Sequence, residues 1–242
     1  MPVHASAPCR VDLAGGTLDV SPLPHLLEAP AVTVNVAMGL RAHATAEARS
    51  DGVITVRSED LGESVELPAA ALSHDRLPLA TRLIEWFGPG DGLTLTLRSE
   101  VPRGSGLGGS SALAAAIAGC LTRLRGGTPD RPRLITVLQR IEMKILRTPA
   151  GYQDYVPALF GGAHAITATP AGLELERMEE AETWLAGRLL LADTGAPHHS
   201  GLTNWEVVRR FVEGDAAARD ALEGVARVAA QMRNAVRERD LR

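Results

Sequence analysis

Between residues 102 and 111 the chain reads Pro-Arg-Gly-Ser-Gly-Leu-Gly-Gly-Ser-Ser, with four glycines and three serines. Glycine lets the backbone turn its N–H groups inward, and the alanine-rich stretch from Ala112 to Leu124 is a good helix former whose N-terminus adds partial positive charge at the same place. Such a loop suits a phosphate. A tight turn joining strand to helix needs fewer glycines and serines than this. No Gly-Lys-Ser/Thr is present, so the loop is not of the Walker type. Gly104, Gly106 and Gly109 satisfy GxGxxG, but a dinucleotide-binding unit needs a second strand ending in an acidic residue about 20 positions on. Here that stretch reads LRGGTPDRP, a loop.

Glu142 lies at offsets of three, four and seven from Ile135, Leu138, Ile145 and Leu146, so it projects from the apolar side of a helix. A carboxylate there needs an Arg or Lys partner or a metal cation. Asp154 follows a Pro-Ala-Gly turn, a place that by itself suits a helix cap or a surface acid. Arg10 and Asp12, two apart on one strand, share a face just ahead of Ala14-Gly15-Gly16-Thr17-Leu18-Asp19, where they form either a small-ligand wall or an ordinary salt bridge at a strand end. Gly108-Gly-Ser110-Ser-Ala112 approximates a hydrolase nucleophile elbow, but Asp193, His198 and His199 stand at no supporting spacing. As adjacent residues, His198 and His199 are weak joint metal ligands.

These residues belong to a chain of 242, long enough for one large domain or two small ones. Hydrophobic residues make up 45% and charged residues 22%, which is globular usage rather than disorder. A net charge of -4 and 3% aromatic residues argue against a nucleic-acid partner, since neither a basic field nor stacking platforms are available. Cys9 and Cys120 fit no disulfide or zinc spacing, and a reducing cytoplasm is the expected home. The N-terminus has no basic segment followed by an apolar one, and the apolar run from Ala112 to Cys120 is too short to cross a bilayer, so no membrane role is expected.

Strands are predicted at 31–38, 41–48, 53–58 and 93–99 from their alternation and β-branched content, with a helix over 76–87 stopped by Gly88-Pro89-Gly90. Helices follow at 112–124 and 133–146, then a short one ending at Phe160, strands HAITAT and LELERM, a short strand at 188–192, and helices at 202–212 and about 216–239. The pattern is α+β with two domains, 1–147 and 148–242.

Together the motifs resemble the GHMP kinases. APCRVDLAGGTLDV (7–20) is similar to that superfamily's N-terminal motif, PRGSGLGGSSA (102–112) to its phosphate motif, and Glu142 with RTPAGYQDYVPALFGG (147–162) to the segment carrying a metal-binding glutamate and a catalytic aspartate. The Gly-Tyr-Gln-Asp and Phe-Gly-Gly pieces resemble most the heptose-7-phosphate kinase and fucokinase branch, and ADTGAPHHSGLTNWEVVRRF is similar to that branch's later Thr-Gly segment. The resemblance implies an N-terminal domain like the second domain of ribosomal protein S5 and a ferredoxin-like C-terminal domain.

It also implies an ATP-dependent kinase acting on a hydroxyl of a sugar or sugar phosphate. Gly104, Ser105, Gly106, Leu107, Gly108, Gly109, Ser110 and Ser111 would wrap the ATP phosphates, and Ser111 with Glu142 would bind Mg²⁺. Asp154 would handle the acceptor's proton, helped by Arg10, while Gly16, Thr17, Asp19 and Gln153 would bind the acceptor. A third glycine-rich motif of these kinases has no counterpart after Gly224. A C-terminal domain cut short, with a homodimer covering its apolar faces, is therefore expected. Two other readings share these motifs: a non-catalytic nucleotide- or sugar-binding module, and a kinase for a non-sugar alcohol such as mevalonate or homoserine.

Overall fold

The computed structural model describes residues 1–242 other than 89, 180, 193–194, 196–199 and 241–242, and for 200–204 the backbone alone. The expected Asp193, His198 and His199 lie outside the described residues.

One seven-stranded sheet runs through the described residues in the order β4 (Glu63–Pro68), β3 (Val53–Ser58), β5 (Leu93–Ser99), β2 (Val32–Ala48), β6 (Ala163–Thr169) and β7 (Gly172–Arg177), with β1 (Val3–Ala14) also on β2. The two runs read at 31–38 and 41–48 are one 17-residue strand. One edge of β2 is matched by β1 over most of its length, from Val3 opposite Ala46 to Ala14 opposite Val34. Its other edge is divided, Val32–Val36 pairing with β6 and Ala42–Ala48 with β5. Long-range pairing carries the strand through Gly39 and Leu40, where local pattern suggested a break. Among the described strands only β3 and β5 run parallel.

Helices cover both faces. On one side α3 (Gly109–Leu124) packs on β1 and β2, flanked by α2 (Pro78–Phe87), α4 (Arg131–Leu146) and α5 (Tyr155–Phe160). Ala112, Ala116, Ile117 and Cys120 are buried there with Ile54 and Leu95. Small residues on α3 let the helix approach the sheet closely, which brings its N-terminus over β1. On the other side Val32, Val34, Ala163 and Ala165 meet Leu185 of α6 (Ala181–Ala186) and Val236 of α8 (Ala216–Glu238).

A third cluster joins Val208 and Phe211 of α7 (Ser200–Val212) and Leu222 of α8 to Leu18, Val20 and Leu23, the last in the short α1 (Leu23–Leu26). The Glu223 carboxylate also accepts the Glu28 and Ala29 N–H groups at 2.8 and 3.2 Å. The C-terminal hairpin thus clamps the segment that follows β1. The sheet itself continues across residue 147, because β6 and β7 pair into it.

The helix ends follow local chemistry. Asp130 caps α4 by accepting the Arg133 N–H, and Asp215 caps α8 by accepting that of Ala218. The expected strand at 188–192 does not form. Arg188 and Leu189 donate their N–H groups to the Leu185 carbonyl, so the chain completes a helical turn at the end of α6 and leaves Leu190 94% exposed. No described helix is long and apolar enough to cross a membrane.

Candidate active site

Residues 102–108 leave β5 and turn back across β1 before α3 begins at Gly109, three residues earlier than its alanine run suggested. Gly104, Gly106 and Gly108 have φ of +74°, +73° and +69°, backbone that other residues adopt only with strain. The Arg10 N–H donates to the Leu107 carbonyl at 2.9 Å, and an Arg10 guanidinium N–H donates to the Gly106 carbonyl. β1 therefore holds the loop by backbone and side chain at once.

The same guanidinium reaches Asp154. Arg10 Nε and Nη2 both meet Asp154 Oδ1, at 2.8 and 2.7 Å. Asp154 stands immediately before α5, but its side chain caps nothing and turns to Arg10 instead. With both contacts on Oδ1, Oδ2 is left for a ligand. Gly108 is where loop and ion pair touch, since a Cβ there would lie 3.2 Å from Arg10 Cγ and 3.7 Å from Asp154 Cγ. Burial works against the charge on Arg10, but Asp154, with Asp12 and Asp19 nearby, keeps its pKa raised.

The turn before Asp154 is fastened from β1's end. Asp19 is 2% exposed, and its Oδ2 accepts the N–H groups of Tyr152 and Gln153 at 2.6 and 2.8 Å. From below, Asn35 Nδ2 donates to the Gln153 carbonyl at 3.1 Å. Burial pushes the Asp19 carboxyl up to about 6 even though those amides favour its charge.

Glu142 does project inward from α4, and no Arg or Lys among the described residues pairs with it. The Tyr155 hydroxyl donates to Glu142 Oε2 at 2.6 Å, and the Ser111 side chain is near enough to favour ionisation of the same phenol. Tyr155 thus joins the two residues expected to hold a metal, a role that sequence reasoning missed; its place directly after Asp154 was the available signal. Burial raises Glu142 to about 7. Among the described residues no group of three His, Cys, Asp or Glu side chains could cage a metal. A hydroxyl and one buried carboxylate without a cation fit Mg²⁺, which takes oxygen ligands and commonly uses one or two carboxylates plus phosphate oxygens.

Most of these groups open on one cavity of about 660 Å³. Arg10, Gly16, Thr17, Asp19, Glu142, Gln153 and Asp154 line it, as do Gly104, Ser105, Gly106, Gly108, Gly109, Ser110 and Ser111. Of the expected site residues Leu107 alone does not line it; its side chain packs against the main core. Thr17 sits at φ +79°, costly for a β-branched residue and in keeping with a strained ligand-binding turn.

Asp12, next along the strand face from Arg10, also lines the cavity. Burial raises its carboxyl from 3.8 to about 7; Arg10 opposes the rise, while Asp154 and Asp19 add to it. In the folded state the proton is therefore held more tightly, so stability falls as pH rises from about 4 to about 7. Asp12→Asn is expected to stabilise the protein by about 2 kcal/mol near pH 8 and by almost nothing near pH 3.5, the half-buried position reducing the full linkage value. Thermal unfolding of both proteins across that range checks this, and equal gains at the two pH values would refute it.

Similarity to known proteins bears on the cavity. Residues 76–162, which supply the glycine loop, Glu142 and Asp154, match the family model described as GHMP kinases N terminal domain. These residues are thus similar to the N-terminal domain of GHMP kinases. The chain is 27% identical over 238 residues to the bifunctional fucokinase/GDP-fucose pyrophosphorylase of Arabidopsis thaliana, covering 86% of this chain and 22% of that protein. It is 27% identical over 180 residues to the mevalonate kinase of Thermococcus onnurineus, covering 68% of this chain and 52% of that enzyme. The chain thus spans about half or less of these two relatives. The crystal structure of a D-glycero-D-manno-heptose 1-phosphate kinase from Bacteriodes thetaiotaomicron superposes with a TM-score of 0.75 at 21% identity, over 98% of this chain and 73% of that one. The mixed α/β fold of this chain is accordingly shared with that solved structure.

Proposed function

We propose that the protein is an ATP-dependent kinase transferring the γ-phosphoryl group to a hydroxyl of a sugar or sugar phosphate. The observation that carries this reading is the Arg10 guanidinium, which holds Asp154 Oδ1 and the Gly106 carbonyl together and so sets an acid beside a loop suited to phosphate. Phosphoryl transfer is governed by positioning and charge neutralisation, and this arrangement supplies both.

In this reading the amides of 104–111 and the start of α3 face the phosphates. Asp154 Oδ2 accepts the hydrogen bond of the attacking hydroxyl and then its proton, while Arg10 fixes the carboxylate and offsets charge. Ser111 and Glu142 hold Mg²⁺, which when bound neutralises phosphate charge. Gly16, Thr17 and Gln153 contact the acceptor, and Asp19 supports it by fastening the turn that carries Gln153 and Asp154. The fucokinase and heptose kinase likenesses support a sugar acceptor.

ADP release measured over L-fucose, D-galactose, D-mannose, their phosphates and mevalonate tests the proposal. Turnover of a sugar or sugar phosphate supports it, and turnover of mevalonate alone would favour the second reading, to which the mevalonate kinase likeness points. Glu142→Gln is expected to raise the Mg²⁺ concentration for half-maximal rate by about tenfold, the loss of one charged ligand contact. An unchanged Mg²⁺ titration would remove Glu142 from the metal site.

A further inference from the structure

Five acids line the cavity, and four have a partner within the chain. Asp19 accepts backbone amides, Asp60 accepts the Ser58 hydroxyl and the Ser99 N–H, Glu142 accepts the Tyr155 hydroxyl, and Asp154 pairs with Arg10. Asp12 has none among the described residues, and its Oδ1 is buried without any hydrogen bond. The nearest cation, Arg10, is committed to Asp154 and the Gly106 carbonyl. Unpartnered buried carboxylate oxygens are costly and rare in folded proteins, so this one calls for an explanation.

The neighbouring geometry supplies it. A Cβ on Gly16 would lie 2.5 Å from Asp12 Oδ2 and 3.9 Å from Gln153 Nε2, so the missing side chain is what lets the carboxylate lie against the Gly16 backbone with the Gln153 amide close by. Gln153 Oε1 likewise lacks a partner, and so does the Oδ1 of Asn35, which stands opposite Asp12 in the β1–β2 register. Two residues of the cavity wall, Asp12 and Gln153, thus each carry an acceptor oxygen without a donor, on the same wall as the acid assigned to the reacting hydroxyl, while Asn35 is fully buried and does not reach the cavity. What they lack is hydroxyl hydrogens. A polyol brings several of those; a simple monoalcohol brings only the one that reacts.

We propose that Asp12 determines acceptor specificity: its carboxylate, beside Gly16 and Gln153, accepts a hydrogen bond from a hydroxyl of a polyhydroxylated acceptor other than the one phosphorylated. This rests on the kinase reading of the same cavity and assigns Asp12 no part in proton transfer.

The test compares parent, Asp12→Asn and Asp12→Ala on L-fucose, D-galactose, D-mannose and their monodeoxy analogues. It reads kcat and KM for each sugar, and also the thermal shift each sugar produces without ATP. For the sugar the parent uses best, Asp12→Ala is expected to lower kcat/KM by about 10- to 100-fold, the range for a hydrogen bond to a charged group, with KM for ATP little changed. The parent should lose a similar factor on one particular monodeoxy analogue, and Asp12→Ala should then no longer distinguish that analogue from the full sugar. Asp12→Asn, which still accepts a hydrogen bond, should fall between.

Equal losses on every sugar, deoxy analogues included, would show a structural role and overturn the inference, as would no loss at all. If ATP binds but no sugar releases ADP, the kinase reading fails separately. A sugar-induced thermal shift present in the parent and lost in Asp12→Ala would then still support the Asp12 contact. Absence of any such shift in the parent would overturn it.

Discussion

Asp154→Asn should reduce phosphoryl transfer by about a thousandfold while leaving ATP binding nearly intact, within the range for removing a positioned general base. The substitution is isosteric, and an amide oxygen still accepts from the Arg10 guanidinium, so the 2.7 and 2.8 Å contacts have a substitute and the fold should persist. The capacity to take a proton is lost together with the carboxylate's charge. Arg10→Ala should behave differently, because Arg10 also holds the Gly106 carbonyl and so the phosphate loop. There KM for ATP should rise together with the fall in kcat. Single-turnover rates and ATP affinities for both variants separate the effects. Transfer by Asp154→Asn at the parent rate would sink the role given to Asp154.

How much of this was legible depended on whether neighbours in space were neighbours in sequence. The glycine loop is contiguous, and its composition alone points to phosphate. Arg10 and Asp154 lie 144 positions apart, and no spacing argument joins them; only resemblance to known kinases placed them in one site, and the ion pair is what the fold adds. Tyr155 was hidden because a tyrosine beside apolar Val156 reads as core, which it also is. Its hydroxyl's meeting with Glu142 depends on how α5 packs on α4. Asp12 was open to two readings, ligand wall or salt bridge, and the structure removes the second by giving Arg10 to Asp154.

The fold shows the same division. Helix caps at Asp130 and Asp215 act within three residues, although the sequence reading did not single them out. The continuity of β2 and the membership of β6 and β7 in the sheet rest on pairing across long stretches of chain. The leucines at 189–191 look like a strand, yet they find no partner strand, and two N–H groups turn back to Leu185 instead.

The second large effect concerns Gly151. A Cβ there would lie 1.9 Å from Asp19 Oδ2, far inside contact distance, and Asp19 is walled in with its carboxylate bound to the Tyr152 and Gln153 amides. Gly151→Ala must therefore push the 150–154 turn away from β1's end or break both hydrogen bonds. Either outcome leaves a buried carboxylate unsatisfied, at a cost of about 2–4 kcal/mol in stability. Because Gln153 and Asp154 ride on the same turn, activity should fall further than stability, by about a hundredfold or more for a displacement near 1 Å. Asp19→Asn offers the control: it keeps one acceptor oxygen for the amides, so it should retain more of both properties than Gly151→Ala. Denaturant unfolding and kcat measured side by side decide the matter. A Gly151→Ala protein as stable and active as the parent would mean that Asp19 does not hold this turn, and that Asp154 is positioned by Arg10 alone.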